Sequence, residues 1–449
     1  MKLFGTDGIR GIANQFPLTP EFVTRLGSAI AETLGHNALR PLALIGRDTR
    51  LSGAMIENAL AAGLMAHGYD TLHIGVLPTP GIALLTRMLG ARCGISNSAS
   101  NNPLDYNGIK VFGADGFKIP DGAENRIEGL AQAERANESR AHIGSIGRRH
   151  DDVNKINAYV DFLLDAASRQ PILTGKRVAV DCNNGATFDL APRVLRELGV
   201  EVIALNYQPD GININLGYDA LNPRSLREMV VRARADFGVQ FDGDGDRSVF
   251  VDERGSVVDG DFVLAILARD LAAHSKMKND AVISTVMANI GLEKSLAEIG
   301  LKLERTPVGD RWVTDRMRAT GNLIGGEQSG HIILFDGGHT TGDGLYTTIR
   351  LAQVLARRGE SLATLAACMT RYPQVLVNVR VQRKPPLEEL PPIQEELARA
   401  RAALGDDARI LLRYSGTENL ARVMIEGRDA TLIAREANAM AEVIQETIT

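Results

Sequence analysis

Along the first half of the chain, short apolar runs alternate with segments whose apolar residues recur every three or four positions. Strands buried on both faces read as continuous apolar runs and surface helices as stripes, so the alternation predicts an α/β fold. Thr19-Pro20 reads as an N-cap with proline in the first helical turn, and Phe22, Val23, Leu26, Ile30 and Leu34 form one stripe behind it. Residues 41–46 read as a buried strand. Ser52 is placed to cap a second helix carrying Met55, Ile56, Leu60 and Leu64, which stops at Gly68, and a strand follows at 71–74.

The same grammar restarts after a polar stretch near 136–155, with strands at 177–181, 201–205 and 237–241 and a helix at 189–198. It restarts again after Gly260, with a strand at 280–286, a helix at 291–300 and a strand end at 323–324. The last part differs. Residues 375–381 show long period-two alternation, four prolines punctuate the link to a helix at 393–404, and a final helix spans 429–448. The pattern therefore predicts three similar mixed α/β domains, 1–152, 153–255 and 256–370, plus a smaller C-terminal α+β domain at 371–449.

At 449 residues the chain exceeds what one hydrophobic core supports. A net charge of -5 argues against a general grip on nucleic acid, though clustered arginines can still take a small anion. No apolar run is long enough to span a membrane. Cys93, Cys182 and Cys368 are isolated and lack metal-ligand spacing, so they read as free thiols in a reducing, cytoplasmic compartment.

The sharpest chemical signal is Asp242-Gly-Asp-Gly-Asp-Arg247, directly after a strand. Three carboxylates at alternate positions converge once the glycines let the chain curl, and their mutual repulsion calls for a hard cation with oxygen ligands. An EF-hand calcium loop is excluded. Glu253 fits its twelfth position, but Arg247 occupies the sixth, where glycine is needed, and the flanks are strands. Mg²⁺ is the expected ion.

A second cluster, Gly94-Ile-Ser-Asn-Ser-Ala-Ser100-Asn-Asn-Pro103 with Asn107-Gly-Ile-Lys110, crowds small polar residues at a strand end. Spacing cannot rank Ser96, Ser98 and Ser100 as nucleophiles. A third, Arg413-Tyr-Ser415-Gly416-Thr417-Glu-Asn419 with Arg422 beyond, gathers arginines, hydroxyls and backbone amides suited to a phosphate. A fourth, Gly325-Gly-Glu327-Gln-Ser329-Gly-His331, frames hydrogen-bonding side chains that suit sugar hydroxyls.

Taken in this order, with Leu3-Phe-Gly-Thr-Asp-Gly-Ile-Arg10-Gly at the start and residues 46–53 after it, these segments resemble the α-D-phosphohexomutase family over essentially the whole chain. Gln328 and the opening segment resemble its amino-sugar branch. The resemblance implies four domains around a central cleft, one Mg²⁺ per chain, and an isomerase that moves a phosphoryl group on a hexosamine phosphate. Ser100 would carry the phosphoryl group and join Asp242, Asp244 and Asp246 in holding the metal. Arg10, Lys110 and His331 would line the reacting centre, with Lys110 or His331 as acid/base. Arg247, Glu327 and Ser329 would contact the sugar, while Arg413, Ser415, Gly416, Thr417 and Arg422 would clamp its distal phosphate. A homodimer is in keeping with the family.

The chain departs from the family pattern at two points. Asn101 stands where histidine is usual, which removes a titrating group, and Asn419 stands where proline is usual. Altered rate rather than altered reaction is the expectation. Competing readings are a phosphomannomutase or phosphoglucomutase of the same fold, a silent sugar-phosphate-binding paralogue, and a metal-dependent phosphatase.

Overall fold

The computed structural model describes residues 2–448 apart from 36–38, 134–139, 171, 220–221, 275–276, 406 and 416–418. It divides into two compact units, one of Met1–Met287 with Leu301–Cys368, the other of Ala288–Gly300 with Met369–Thr449.

Three mixed sheets build the first unit. The N-terminal sheet has seven strands, in which the parallel trio Leu42–Arg47, Asp70–Val76 and Cys93–Asn97 is extended by Tyr106–Gly113 and Gly8–Ile12 running antiparallel. Arg149–Asp151, inside the polar stretch, adds a parallel edge strand to this sheet. Thr19 caps the helix Pro20–Leu34 as its sequence dictates, and Phe22, Val23, Leu26 and Ile30 go into the core. Each such burial contributes about 1.5–3 kcal/mol. Ser52 does not cap by its side chain: its backbone is already helical, and its Oγ takes a hydrogen bond from Asn107 Nδ2 at 2.8 Å.

The second sheet holds five strands, with Arg177–Asp181 parallel to Phe237–Phe241 at its centre. The third holds four, with Ala281–Thr285 between Lys302–Thr306 and Ile324–Gly326. In all three sheets the loops that carry chemistry leave strand ends.

The second unit packs the antiparallel strands Gln374–Arg380, Leu420–Glu426 and Arg409–Tyr414 against the helices Pro391–Leu404 and Ala430–Ile448. The helix Ile290–Ala297 belongs to this unit too. Asn289 exchanges hydrogen bonds with the backbone of Tyr372 at 3.0 Å each way, and Arg409 Nη2 donates to Ala288 O at 3.1 Å.

Candidate active site

Strand Phe237–Phe241 runs into the acidic turn, and Ser248–Asp252 returns antiparallel beside it. Asp242, Asp244 and Asp246 are buried, and one carboxylate oxygen from each lies within 4.8 Å of the others. The intervening glycines are required sterically. Gly245 sits at φ +69, and a Cβ on Gly243 would stand 2.5 Å from the carbonyl oxygen of Ser100.

The serine loop follows strand Cys93–Asn97 and presses against that turn. Geometry separates its three hydroxyls, which spacing could not. Ser96 Oγ pairs with Thr79 Oγ1 at 2.7 Å, and Ser98 Oγ donates to Asp48 Oδ2 at 2.6 Å. Ser100 Oγ donates to Asp242 Oδ2 at 2.5 Å. Ser100 is also held at φ +51, a conformation rare for serine, which persists only where neighbours fix it. Those neighbours are Ser98 Oγ, which accepts from its N–H at 2.9 Å, and Arg50 Nη2 and Asn215 Nδ2, which donate to its carbonyl at 3.1 and 2.7 Å. Arg50 is fully buried; it pairs with Asp48 and also donates to the carbonyls of Asn102, Pro103 and Tyr106.

Cations converge on the same place. Lys110 Nζ lies 2.9 Å from Asp244 Oδ2 and 3.0 Å from Asp246 Oδ2. Burial works against its charge, yet Asp244, Asp246 and Asp7 together hold its pKa well above the ordinary lysine value. Arg247 likewise overcomes burial through Asp246, Asp242 and Glu327, and its backbone N–H donates to Asp242 Oδ1 at 3.2 Å. Burial, then the charges of Asp246 and Asp244, push Asp242 well above the usual carboxylate range. Asp246 is held below that range, since Lys110, His331 and Arg247 outweigh its burial.

Among the described residues Asp244 Oδ1 and Asp246 Oδ1 are buried without a hydrogen-bond partner, and Arg247 Nε stands 3.9 Å from Asp246 Oδ1. Orphaned carboxylate oxygens inside a protein are costly, and an all-oxygen donor set suits a hard divalent ion, so these residues fit such an ion.

His331 Nε2 stands 3.9 Å from Asp246 Oδ2 and 3.8 Å from Asp310 Oδ2, and neither ring nitrogen makes a hydrogen bond among the described residues. Glu327 and Ser329 are half-buried in the turn before it, tied to the acidic loop by Ser248 N donating to Gly330 O at 3.1 Å. Arg10 Nη1 donates to Asn102 Oδ1 at 2.7 Å, whereas Asn101, at the family's histidine position, is exposed.

Four participants were not singled out in the sequence, although Asp7 lies within the opening motif. Asp7 binds Arg10, Lys110 and Lys118; Lys118 also binds Asp310; and Thr79 Oγ1 donates to Asp244 Oδ2 at 2.6 Å. They lie far apart in the chain and belong to no run of polar residues.

In the second unit Arg413 faces Arg422 across paired strands, with Arg413 in the strand rather than the loop. Arg422 Nη2 donates to Ser415 Oγ at 3.5 Å, and Lys384 Nζ, which the sequence reading passed over, donates to Ser415 O at 2.8 Å. Partial burial, then Arg422, pulls the pKa of Arg413 down, the electrostatics of a place receptive to an anion. Gly416 and Thr417 lie outside the described residues.

Comparison with known proteins identifies the family. The chain matches all four domains described as phosphoglucomutase/phosphomannomutase: domain I at 1–138, domain II at 157–255, domain III at 259–372 and the C-terminal domain at 376–443. It is 43% identical over 447 residues to a phosphoglucosamine mutase of Geobacter metallireducens, covering 100% of this chain and 99% of that one. It is 46% identical over 446 residues to one of Symbiobacterium thermophilum, covering 99% of each. A Burkholderia thailandensis protein of the phosphoglucomutase/phosphomannomutase family shares the fold, with TM-score 0.80 and 23% identity over 99% of this chain and 97% of that one. So does an Aspergillus fumigatus N-acetylphosphoglucosamine mutase solved with GlcNAc-6P and magnesium, with TM-score 0.68 and 17% identity over 100% and 96%. No helix among the described residues is long and apolar enough to cross a membrane.

Proposed function

This chain belongs to the phosphoglucosamine mutases of the α-D-phosphohexomutase family, and on that premise we propose that it interconverts glucosamine 6-phosphate and glucosamine 1-phosphate through a phosphorylated Ser100. The observation that carries the reading is the hydrogen bond of Ser100 Oγ to Asp242, one of three convergent buried aspartates.

Phosphoryl transfer asks a protein chiefly for positioning and charge stabilisation. Asp242, Asp244, Asp246 and the phosphorylated serine would hold Mg²⁺, which when bound neutralises charge on the phosphoryl oxygens. The sugar 1-hydroxyl attacks phosphorus and the bond to Ser100 Oγ breaks, giving a 1,6-bisphosphate. His331, whose ring nitrogens make no hydrogen bond among the described residues, takes the proton the hydroxyl loses. Ser100 Oγ leaves with the electron pair of the P–O bond and takes a proton from water, restoring the hydroxyl that donates to Asp242 Oδ2 in the free protein. Lys110 stays cationic and supports the transferring charge, and Glu327 and Ser329 orient the sugar. Arg413, Ser415, Gly416, Thr417 and Arg422 grip whichever phosphate is not reacting. The bisphosphate then turns end for end and returns its 6-phosphoryl to Ser100, so the clamp must accept a phosphate on either end.

A phosphate-position assay tests the proposal. With Mg²⁺ and a trace of bisphosphate, glucosamine 6-phosphate should give the 1-phosphate with a kcat/KM above those of glucose and mannose 6-phosphates. Release of inorganic phosphate with no isomer would make the protein a phosphatase and refute the proposal.

A further inference from the structure

Convergent carboxylates need positive charge at every stage, including before any metal arrives. Here Lys110 supplies it. The side chain is 1% exposed, and its ammonium stands 2.9 Å from Asp244 Oδ2, 3.0 Å from Asp246 Oδ2 and 3.0 Å from Asp7 Oδ2. Asp244 and Asp246 each give one oxygen to the lysine and keep the other, Oδ1, buried and free of hydrogen bonds among the described residues, with Arg247 Nε 3.9 Å from Asp246 Oδ1. A divalent ion on those free oxygens would meet a buried unit positive charge on the far side of the same two carboxylates, within a few ångströms. Burial leaves little water to screen the repulsion.

We propose that Lys110 is the built-in counter-ion of the metal site. It offsets part of the charge of Asp244 and Asp246 while the site is empty, weakens the affinity for a divalent ion, and withdraws from at least one of the two carboxylates when that ion binds. The inference rests on reading the three aspartates as the metal site. Asp7 gives the withdrawing ammonium somewhere to stay: its Oδ2 already faces Nζ, and its position is fixed by Arg10 and Lys118. Metal loading and the freeing of a cation next to the reacting group thus become one event.

The test needs no turnover. Mn²⁺ alone is titrated into dephosphorylated wild type and Lys110→Met, and free Mn²⁺ is read by electron paramagnetic resonance. Removing the competing charge should tighten Mn²⁺ binding by about tenfold or more; equal or weaker binding overturns the proposal. Should Lys110→Met fail to fold, wild-type crystals soaked in Mn²⁺ decide. Nζ should lie beyond hydrogen-bond reach of Asp244 or Asp246, and an ion on the aspartates with both lysine contacts intact overturns it. Absence of any Mn²⁺ at the aspartates in either experiment overturns the metal-site reading itself, and the counter-ion with it.

Discussion

Arg50 reaches Ser100 only through its carbonyl and not through the hydroxyl assigned to chemistry, yet removing its donor set should disable the protein. Its guanidinium is fully buried, pairs with Asp48 at 2.9 Å, and donates to the carbonyls of Ser100, Asn102, Pro103 and Tyr106 at 2.6 to 3.1 Å. These bonds hold the loop that keeps Ser100 at φ +51. Arg50→Met leaves Asp48 charged and unpaired in the interior, which costs about 3–5 kcal/mol of stability. Arg50→Lys is the more discriminating change. A lysine keeps the ion pair but, as a point charge without a planar fork, cannot serve four carbonyls and a carboxylate at once. Stability should fall by only about 1–3 kcal/mol, the cost of buried acceptors left unmet. Turnover should fall about 100-fold, because a shift of ~1 Å in a reacting group costs that much. Urea denaturation gives the first quantity and a coupled mutase assay the second. An Arg50→Lys protein with kcat within threefold of wild type would refute the claim that this side chain positions the serine.

Three further outcomes follow from particular contacts. Burial raises the pKa of Asp343 to about 7; Tyr159 donates to it at 2.8 Å, and neighbouring His339, pushed down to about 3 by burial and then Arg87, stays neutral and supplies no charge. The folded state therefore binds this proton more tightly than the unfolded chain, and stability falls as pH rises from roughly 4 to 7, by up to about 1.4 kcal/mol per pH unit. Asp343→Asn should remove that slope, so the variant gains a few kcal/mol on wild type between pH 4 and 8; a constant difference in urea midpoints refutes it. Lys118→Met, which takes the lysine from Asp310 while Asp7 keeps Arg10 and Lys110, should lose about 3–5 kcal/mol in the same measurement, and a loss below ~1 kcal/mol counts against the bridge. Gly243→Ala drives a methyl into the Ser100 carbonyl and should cut kcat at least ~100-fold, whereas Gly129→Ala, with open space around it, should change nothing.

The elements legible in the sequence were those whose pattern has one physical meaning. Thr19-Pro20 with its stripe, the period-two run that became Gln374–Arg380, and the acidic turn between two strands are of this kind. The helix Thr79–Met88 left no stripe to read, because nearly all its residues are buried. The choice of Ser100 over Ser96 and Ser98 could not come from spacing, since it depends on a carboxylate 142 residues away. Asp7, Lys118 and Asp310 form one ion-paired chain only after two sheets pack together. The helix Ile290–Ala297 reads as part of the third α/β repeat and lies in the segment matched to domain III, while Asn289, Ala288 and Lys294 bond it to the C-terminal unit.

The central claim, that Ser100 carries the phosphoryl group between substrate and product, is tested most directly by a chase from labelled protein. Protein bearing ³²P is mixed with excess unlabelled glucosamine 6-phosphate and Mg²⁺ and quenched within one turnover. The label should leave Ser100 and appear in glucosamine bisphosphate and then monophosphate, and Ser100→Ala should never take up label. Label that stays on the protein while product accumulates would contradict the relay.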